Sequence, residues 1–372
     1  MKRLHAITLS LILPALLLTA CMTNRNRENA VNTATDTTSS NGVVEIDQGA
    51  GSGNSDNKMG ANLNIVCTIF PQYDWVRQIL GEDIEEHELT LLLNNRVDLH
   101  SYQPSVDDIV RISTCDLFIF VGGDSDGWVA NVLRNEHNPD MIVINLMDIL
   151  GEDVKADESV LDDDDEHDHH DHDDDDDDDD DDDEHDHEND EHVWLSLKNA
   201  ILFCNVITDA LSSLNAEKDE VYRNNSSAYI NRLSTLDANY HSALDMAPIR
   251  TLVFADRFPF RYLLDDYGIN YYAAFSGCSA ETEASFSTII SLSEKVNEYE
   301  LHTIMVTESA DRSIANTVIS NTNEKNQQIL MLDAMQSVTV NDIQNGTTYM
   351  LVMESNLEVL RAALGGDTRW SS

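Results

Sequence analysis

The chain has 372 residues, and its 69 acidic and 22 basic side chains give a formal net charge of −47. This length is more than one compact domain usually needs, so we expect two globular units. A chain this acidic repels phosphate backbones, which excludes nucleic acid as a partner. Hydrophobic residues make up 41% of the sequence, enough for ordinary cores.

Residues 1–21 are typical of an export signal. Lys2 and Arg3 precede an apolar run, 7–20, that is shorter than the roughly 20 residues a membrane span needs. Small residues lead up to Cys21, as in a bacterial lipobox. We therefore expect Cys21 to be lipid-modified and to anchor the protein to the membrane from outside. A plain secretory signal with an incidental cysteine is the alternative.

Residues 22–62 are rich in Asn, Thr, Ser and Gly, which predicts a disordered tether. Past Cys21, the remaining cysteines are Cys67, Cys115, Cys204 and Cys278. None belongs to a C-x-x-C pair, which argues against a zinc finger or a thioredoxin-like motif. Cys67 and Cys115 lie on predicted buried strands, so a disulfide between them and two buried free thiols both remain open.

The segment 63–195 is predicted to form a first lobe in which strands alternate with helices. Short apolar runs indicate strands at 64–70, 88–93, 115–121 and 141–146. Helical spacing indicates helices at 73–80, 106–112 and 128–133. This alternation predicts a parallel sheet covered by helices on both faces.

An acidic run at 162–191 interrupts this lobe, with 23 Asp and Glu residues and no Lys or Arg. It also carries His167, His169, His170, His172, His185 and His187. A segment of such low complexity cannot pack, so it is predicted to be a solvated loop. Mixed imidazoles and carboxylates predict several weak, exchangeable metal sites. A merely solubilising insertion and calcium buffering are the alternatives.

Residues 196–248 are predicted to be a long linking helix with a break near Asn215. Its buried stripe comprises Tyr229, Leu233, Leu236, Tyr240 and Leu244. Residues 249–372 then form a second α/β lobe. Its predicted strands are 251–255, 270–275, 302–307 and 329–332, and its predicted helices are 260–267, 285–299, 310–322 and 349–364. Two lobes of this kind leave a cleft where strand ends present ligands.

Several motifs resemble the ZnuA-type family, the zinc- and manganese-uptake solute-binding lipoproteins of ABC transporters. The stretch 65–81 reads IVCTIFPQYDWVRQILG, and 97–105 reads VDLHSYQPS, similar to the family's G-x-D-P-H-x-Y-x-P-T with Leu99 where Pro is usual. The stretch 190–196 reads DEHVWLS, similar to D-P-H-V-W-L-S, and it follows the acidic run. The resemblance also includes the segment 262–268, the run VTES at 306–309 and Asp333. In all it spans about 63–364.

The resemblance implies a metal site. His100 matches the first family ligand, His192 the second, and Asp333 the acid that serves as the fourth. The third ligand is a His or Glu five residues before Tyr262, where this chain has Arg257. Arg carries only donors and cannot ligate. Asp256, a water or Cys278 are the candidates to replace it. Such a set of imidazoles and carboxylates suits Zn²⁺ and tolerates Mn²⁺.

The function this implies is an extracytoplasmic, membrane-anchored receptor, expected to be a monomer, that delivers zinc or possibly manganese to an ABC permease. A metal-binding sensor or adhesin-like lipoprotein that no longer feeds a transporter is the main alternative, because the third ligand is missing. A metal-dependent hydrolase is a weaker alternative. The chain has no H-E-x-x-H motif, so we expect no enzyme.

Overall fold

The computed structural model describes residues 62–135, 137–157, 189–277 and 283–365. The predicted export signal with Cys21, the tether up to residue 61, the six histidines of the acidic run and Cys278 lie outside these ranges. The structure therefore describes the two predicted lobes and the helical segment between them. No helix within the described ranges combines the length and apolarity that crossing a membrane requires.

The first lobe is built on a parallel four-stranded sheet in the order β2-β1-β3-β4. Its strands are β1 (Asn64–Cys67), β2 (Glu88–Leu91), β3 (Leu117–Phe120) and β4 (Ile142–Asn145). Its helices are α1 (Phe70–Leu80), α2 (Val106–Thr114), α3 (Val129–Leu133) and α4 (Leu146–Leu150). Every residue of β3 is buried, as expected of a central parallel strand covered on both faces.

The helical segment after the acidic run has the predicted break near Asn215, so it consists of two helices. Helix α5 (Leu197–Leu214) ends at Asn215, and a short 3₁₀ turn leads into α6 (Asp219–Leu244). Ser196 starts α5 by accepting a hydrogen bond from the Asn199 amide. All five residues of the predicted stripe are buried in α6.

The second lobe repeats the parallel plan, with strand order β6-β5-β7-β8. Its strands are β5 (Thr251–Phe258), β6 (Asn270–Ser276), β7 (Thr303–Thr307) and β8 (Gln328–Leu332). Its helices are α7 (Arg261–Asp266), α8 (Phe286–Glu298), α9 (Ser313–Asn321), α10 (Val340–Gln344) and α11 (Tyr349–Ala363). The prediction of two α/β lobes, each with a parallel sheet, is confirmed.

One hydrophobic core runs through both lobes. It extends from β1 and α1 through α5 and α6 to α11, and a second cluster lies between α8, α9 and the sheet of the second lobe. At the junction the rings of Trp75 on α1 and Tyr349 on α11 lie 5.3 Å apart. The buried carboxylate of Asp74 accepts the Tyr349 amide at 2.9 Å. The lobes are therefore packed together rather than merely tethered.

The three described cysteines, Cys67, Cys115 and Cys204, are buried free thiols. The sequence leaves open whether Cys67 and Cys115 form a disulfide, and in the structure they are two free thiols. Burial raises the pKa of the Cys115 thiol to about 12, with the charge of Asp116 adding to the shift. Such a thiol stays protonated and unreactive.

Candidate metal centre

His100 lies in a 3₁₀ turn, Leu99–Ser101, that precedes α2. Asp98 begins this turn, and its Oδ1 accepts the His100 amide at 3.1 Å. The ring Nδ1 lies 2.7 Å from Ser125 Oγ and 3.4 Å from Glu191 Oε2. These contacts occupy Nδ1 and leave Nε2 to point into the junction between the lobes.

His192 comes from the segment that connects the lobes, just before α5, and it is fully buried. Asp190 Oδ1 lies 2.8 Å from the ring Nδ1 and also accepts the His192 amide at 2.8 Å. A carboxylate on Nδ1 fixes the proton there and leaves the Nε2 lone pair free. This is the arrangement that prepares an imidazole as a metal ligand.

The two histidines, 92 positions apart in sequence, converge through their Nε2 atoms at 3.4 Å. Two imidazoles bound to one tetrahedral zinc, with Zn–N bonds of 2.0–2.1 Å, place their nitrogens about 3.3–3.4 Å apart. The observed spacing therefore matches what a shared zinc requires. The structure thus brings together the two histidines that the sequence motifs single out.

The acids behind these rings favour a cationic occupant. Burial alone would raise the pKa of Glu191, but hydrogen bonds from His100 and Ser125 outweigh it and hold that pKa below its usual value. Burial likewise opposes the charged form of His100, yet Glu191 and Asp98 raise its pKa. Burial raises the pKa of nearby Asp126 to about 7 against the hydrogen bonds it accepts from the Gly122 and Val121 amides. Glu191 and Asp190 thus each place a carboxylate against one of the two imidazoles.

Gln336 is a further residue at the site that the sequence analysis missed. Its Nε2 lies 2.9 Å from His192 Nε2, on the side of the ring that faces His100. Glu308 holds this turn by accepting the amides of Ala334 and Gln336, and Met335 between them has a left-handed φ of 62°. A non-glycine residue in that region costs energy, so the turn is held in place by its neighbours.

The carboxylates of Asp333 and Asp256 make hydrogen bonds within the second lobe. Asp333 Oδ1 accepts the Met335 amide at 2.8 Å. Asp256 Oδ2 accepts both the amide and the hydroxyl of Thr307. Within the described ranges, no group of three or more His, Cys, Asp or Glu side chains is placed to hold a metal ion. Both carboxylates stay predictions as ligands.

Arg257 forms an ion pair with Asp98, with Nη1 2.7 Å from Oδ2. The cation at the position of the expected third ligand is thus neutralised by the residue that begins the His100 turn. On the opposite side, Gly277 packs so closely on His192 that a Cβ there would lie 3.0 Å from the ring.

Trp194 covers the second histidine. Its ring centroid is 5.2 Å from that of His192, and its Nε1 donates to the Ala334 carbonyl at 2.9 Å. The indole is 1% exposed, so it excludes water from one side of the imidazole. An apolar cover of this kind limits the access of solvent to a metal site.

Two parallel α/β lobes that meet at a pair of oriented histidines define a solute-binding protein. Comparison with known families identifies which one: residues 65–363 match the model of the zinc-uptake complex component A periplasmic family, ZnuA. The chain belongs to this family. The family is defined by a part in zinc uptake and not by catalysis, which confirms the prediction that the protein is not an enzyme.

Individual relatives agree with this assignment. The zinc-binding lipoprotein AdcA of Streptococcus pneumoniae is 29% identical over 304 residues, which is 80% of this chain and 55% of that protein. The high-affinity zinc uptake system protein ZnuA of Bacillus subtilis is 26% identical over 315 residues, or 84% of this chain and 90% of that protein. The chain thus spans about half the length of the streptococcal relative.

Solved structures show the same fold. The Zn(II)-bound ZnuA-like domain of Streptococcus pneumoniae AdcA superposes with a TM-score of 0.61 at 27% identity, over 82% of this chain and 99% of that domain. The description of the family as periplasmic agrees with the extracytoplasmic location that the export signal predicts.

Proposed function

We propose that the protein captures Zn²⁺ outside the cytoplasm through His100 and His192 and delivers it to an ABC transporter permease. The observation that supports this most directly is the 3.4 Å separation of the two Nε2 atoms. Asp190 on one ring, and Ser125 with Glu191 on the other, hold both imidazoles so that these lone pairs converge. The zinc-binding relatives support the same cargo.

Gln336 is the third group we assign to the zinc. Rotation of its side-chain amide by half a turn exchanges Nε2 for Oε1, and the carbonyl oxygen then faces the metal beside His192. Asp333, Asp256 and Cys278 remain the predicted further ligands. A coordination shell with two imidazoles favours zinc. Additional oxygen ligands allow manganese to bind as well, with lower affinity.

The metal content of the purified full-length chain tests the site. After dialysis against a moderate chelator, we expect about one zinc per chain, lost in His100→Ala and in His192→Ala. His302→Ala is the matched control, because His302 is an exposed histidine of the second lobe. Zinc retained equally in all variants would refute the assignment.

The acidic run has a separate role in this proposal. Its six histidines supply weak sites that concentrate metal near the body, whereas the tight site lies between the lobes. Deleting residues 162–187 should remove the weak capacity and leave one tight zinc. Loss of the tight zinc in that deletion would contradict this division. Lipid attachment at Cys21 and a monomeric state complete the proposal.

Delivery to a permease is tested by growth in zinc-poor medium. Cells without the protein should grow poorly, and the wild-type gene should restore growth where His192→Ala does not. Zinc binding in vitro without any growth defect would instead favour the sensor or adhesin-like alternative, for which the missing third ligand at Arg257 is the supporting observation. The same growth assay with manganese supplied in place of zinc tests whether the protein also delivers manganese.

A further inference from the structure

Arg257 follows an irregularity in β5. Between the paired positions Phe254–Ala273 and Arg257–Phe275, β5 advances three residues while β6 advances two. One extra residue in a strand is a β-bulge, which changes the face toward which the following side chains point. The bulge lets Arg257 leave the alternation of its strand and reach the opposite lobe.

The contact that Arg257 makes there is with the turn that carries His100. Its guanidinium is 2.7 Å from Asp98 Oδ2, while Asp98 Oδ1 accepts the His100 amide at 3.1 Å. One carboxylate therefore joins a cation of the second lobe to the backbone of a ligand of the first.

The chain that leads into this turn is in a costly conformation. Arg96, two residues before Asp98, has a left-handed φ of 59°. Non-glycine residues seldom adopt this region, and a segment that does so needs contacts that hold it. The two hydrogen bonds of the Asp98 carboxylate provide such contacts at the point where the turn begins.

From these contacts we propose that Arg257 is a positioning residue that holds the His100 turn from the opposite lobe through Asp98, and that it strengthens metal binding although it is itself a cation. This deepens the proposed function and rests on it for the metal. The alternative for a cation beside the site is simple repulsion of Zn²⁺. The two possibilities predict effects of opposite sign when Arg257 is removed.

The test uses the full-length chain, purified in detergent, as wild type, Arg257→Ala, Arg257→Lys, Asp98→Asn and the double variant. Arg361→Ala is the matched control: its ion pair with Glu358 also measures 2.7 Å and its side chain is also 24% exposed, but both partners lie on one helix. Hydrogen–deuterium exchange of the metal-free protein reports the order of residues 97–102. Competition with a chromophoric chelator reports zinc affinity, and thermal unfolding reports global stability.

We expect Arg257→Ala and Asp98→Asn each to accelerate exchange in 97–102 and to weaken zinc binding roughly tenfold, in the range found for residues that orient metal ligands. The double variant should lose no more than either single one, and Arg257→Lys should restore part of the affinity. The Arg361→Ala control should leave both readouts unchanged. Tighter or unchanged zinc binding in Arg257→Ala would overturn the proposal, as would unchanged exchange.

Failure of the proposed function gives a different result. If the wild-type protein binds no zinc, the metal assignment fails, while the exchange of 97–102 still decides whether Arg257 holds the turn. A fall in melting temperature equal in Arg257→Ala and Arg361→Ala, with affinity preserved, would assign Arg257 an ordinary stabilising role and would also overturn the proposal.

Discussion

Replacing Asp190 by asparagine should weaken zinc binding while leaving the protein folded. Asp190 is completely buried, and its Oδ1 lies 2.8 Å from both the ring Nδ1 and the amide of His192. An asparagine has nearly the same shape and keeps a neutral carbonyl acceptor for the ring. It lacks the charge that makes the imidazole a better electron donor to a metal.

The size of the effect follows from the bond that changes. A hydrogen bond to a charged group contributes about 1.5–3 kcal/mol and a neutral one about 0.5–1.5 kcal/mol. The difference of about 1–1.5 kcal/mol corresponds to a roughly tenfold weaker affinity. This lies at the lower end of the 10- to 100-fold range known for residues that support metal ligands.

Competition with a chromophoric zinc chelator measures the affinity, and circular dichroism with thermal unfolding monitors the fold. Asp74→Asn is the matched control, because Asp74 is equally buried but its carboxylate contacts the Tyr349 amide, Gln78 and Arg77 instead of a histidine ring. That variant should lower the melting temperature and leave the zinc affinity unchanged. A folded Asp190→Asn protein with wild-type affinity would refute the reasoning.

Three further predictions concern charge and protonation. The pKa of His100 is raised, and zinc binds only the neutral ring. On acidification, zinc affinity should therefore begin to fall at a higher pH than it would for an ordinary histidine. Glu191→Gln should lower the pH midpoint of this loss in a zinc competition assay. Gln336→Glu should tighten zinc binding about tenfold or more, since it places a carboxylate beside the metal; isothermal titration that shows no gain would count against Gln336 as a ligand. Burial lowers the pKa of His87, whose neutral ring accepts the Leu63 amide, so its contribution to stability is present above about pH 6.5 and is lost as the pH falls below that value. Melting temperatures of His87→Asn should vary less between pH 7 and pH 5 than those of the wild type; parallel curves would refute this.

The sequence predicts the fold well because most of the elements carry their own signal. Buried parallel strands read as short apolar runs, and the stripe of α6 follows helical spacing. Helix α10 was missed although Thr339 and Asp342 form a capping box at its start. Its five residues are too few to show a period.

The sequence predicts part of the candidate metal centre. His100 and His192 stand in motifs that identify them, and the structure brings them together. Asp256 is predicted as a ligand from its place next to Arg257; its carboxylate accepts hydrogen bonds from Thr307, 51 residues away, a partner that no local pattern reveals. Gln336 has no distinctive neighbours, because its position depends on a turn held by distant side chains.

The continuous core constrains how metal enters and leaves. Moving the lobes apart would expose Trp75 and Tyr349, at a cost of about 1.5–3 kcal/mol for each ring returned to water, and would break the Asp74 contact as well. A wide hinge motion is therefore disfavoured, and the outline of the loaded protein should differ little from that of the empty one. Under the proposed function, a permease would then have to distinguish the two states by the short loops around His100 and Gln336.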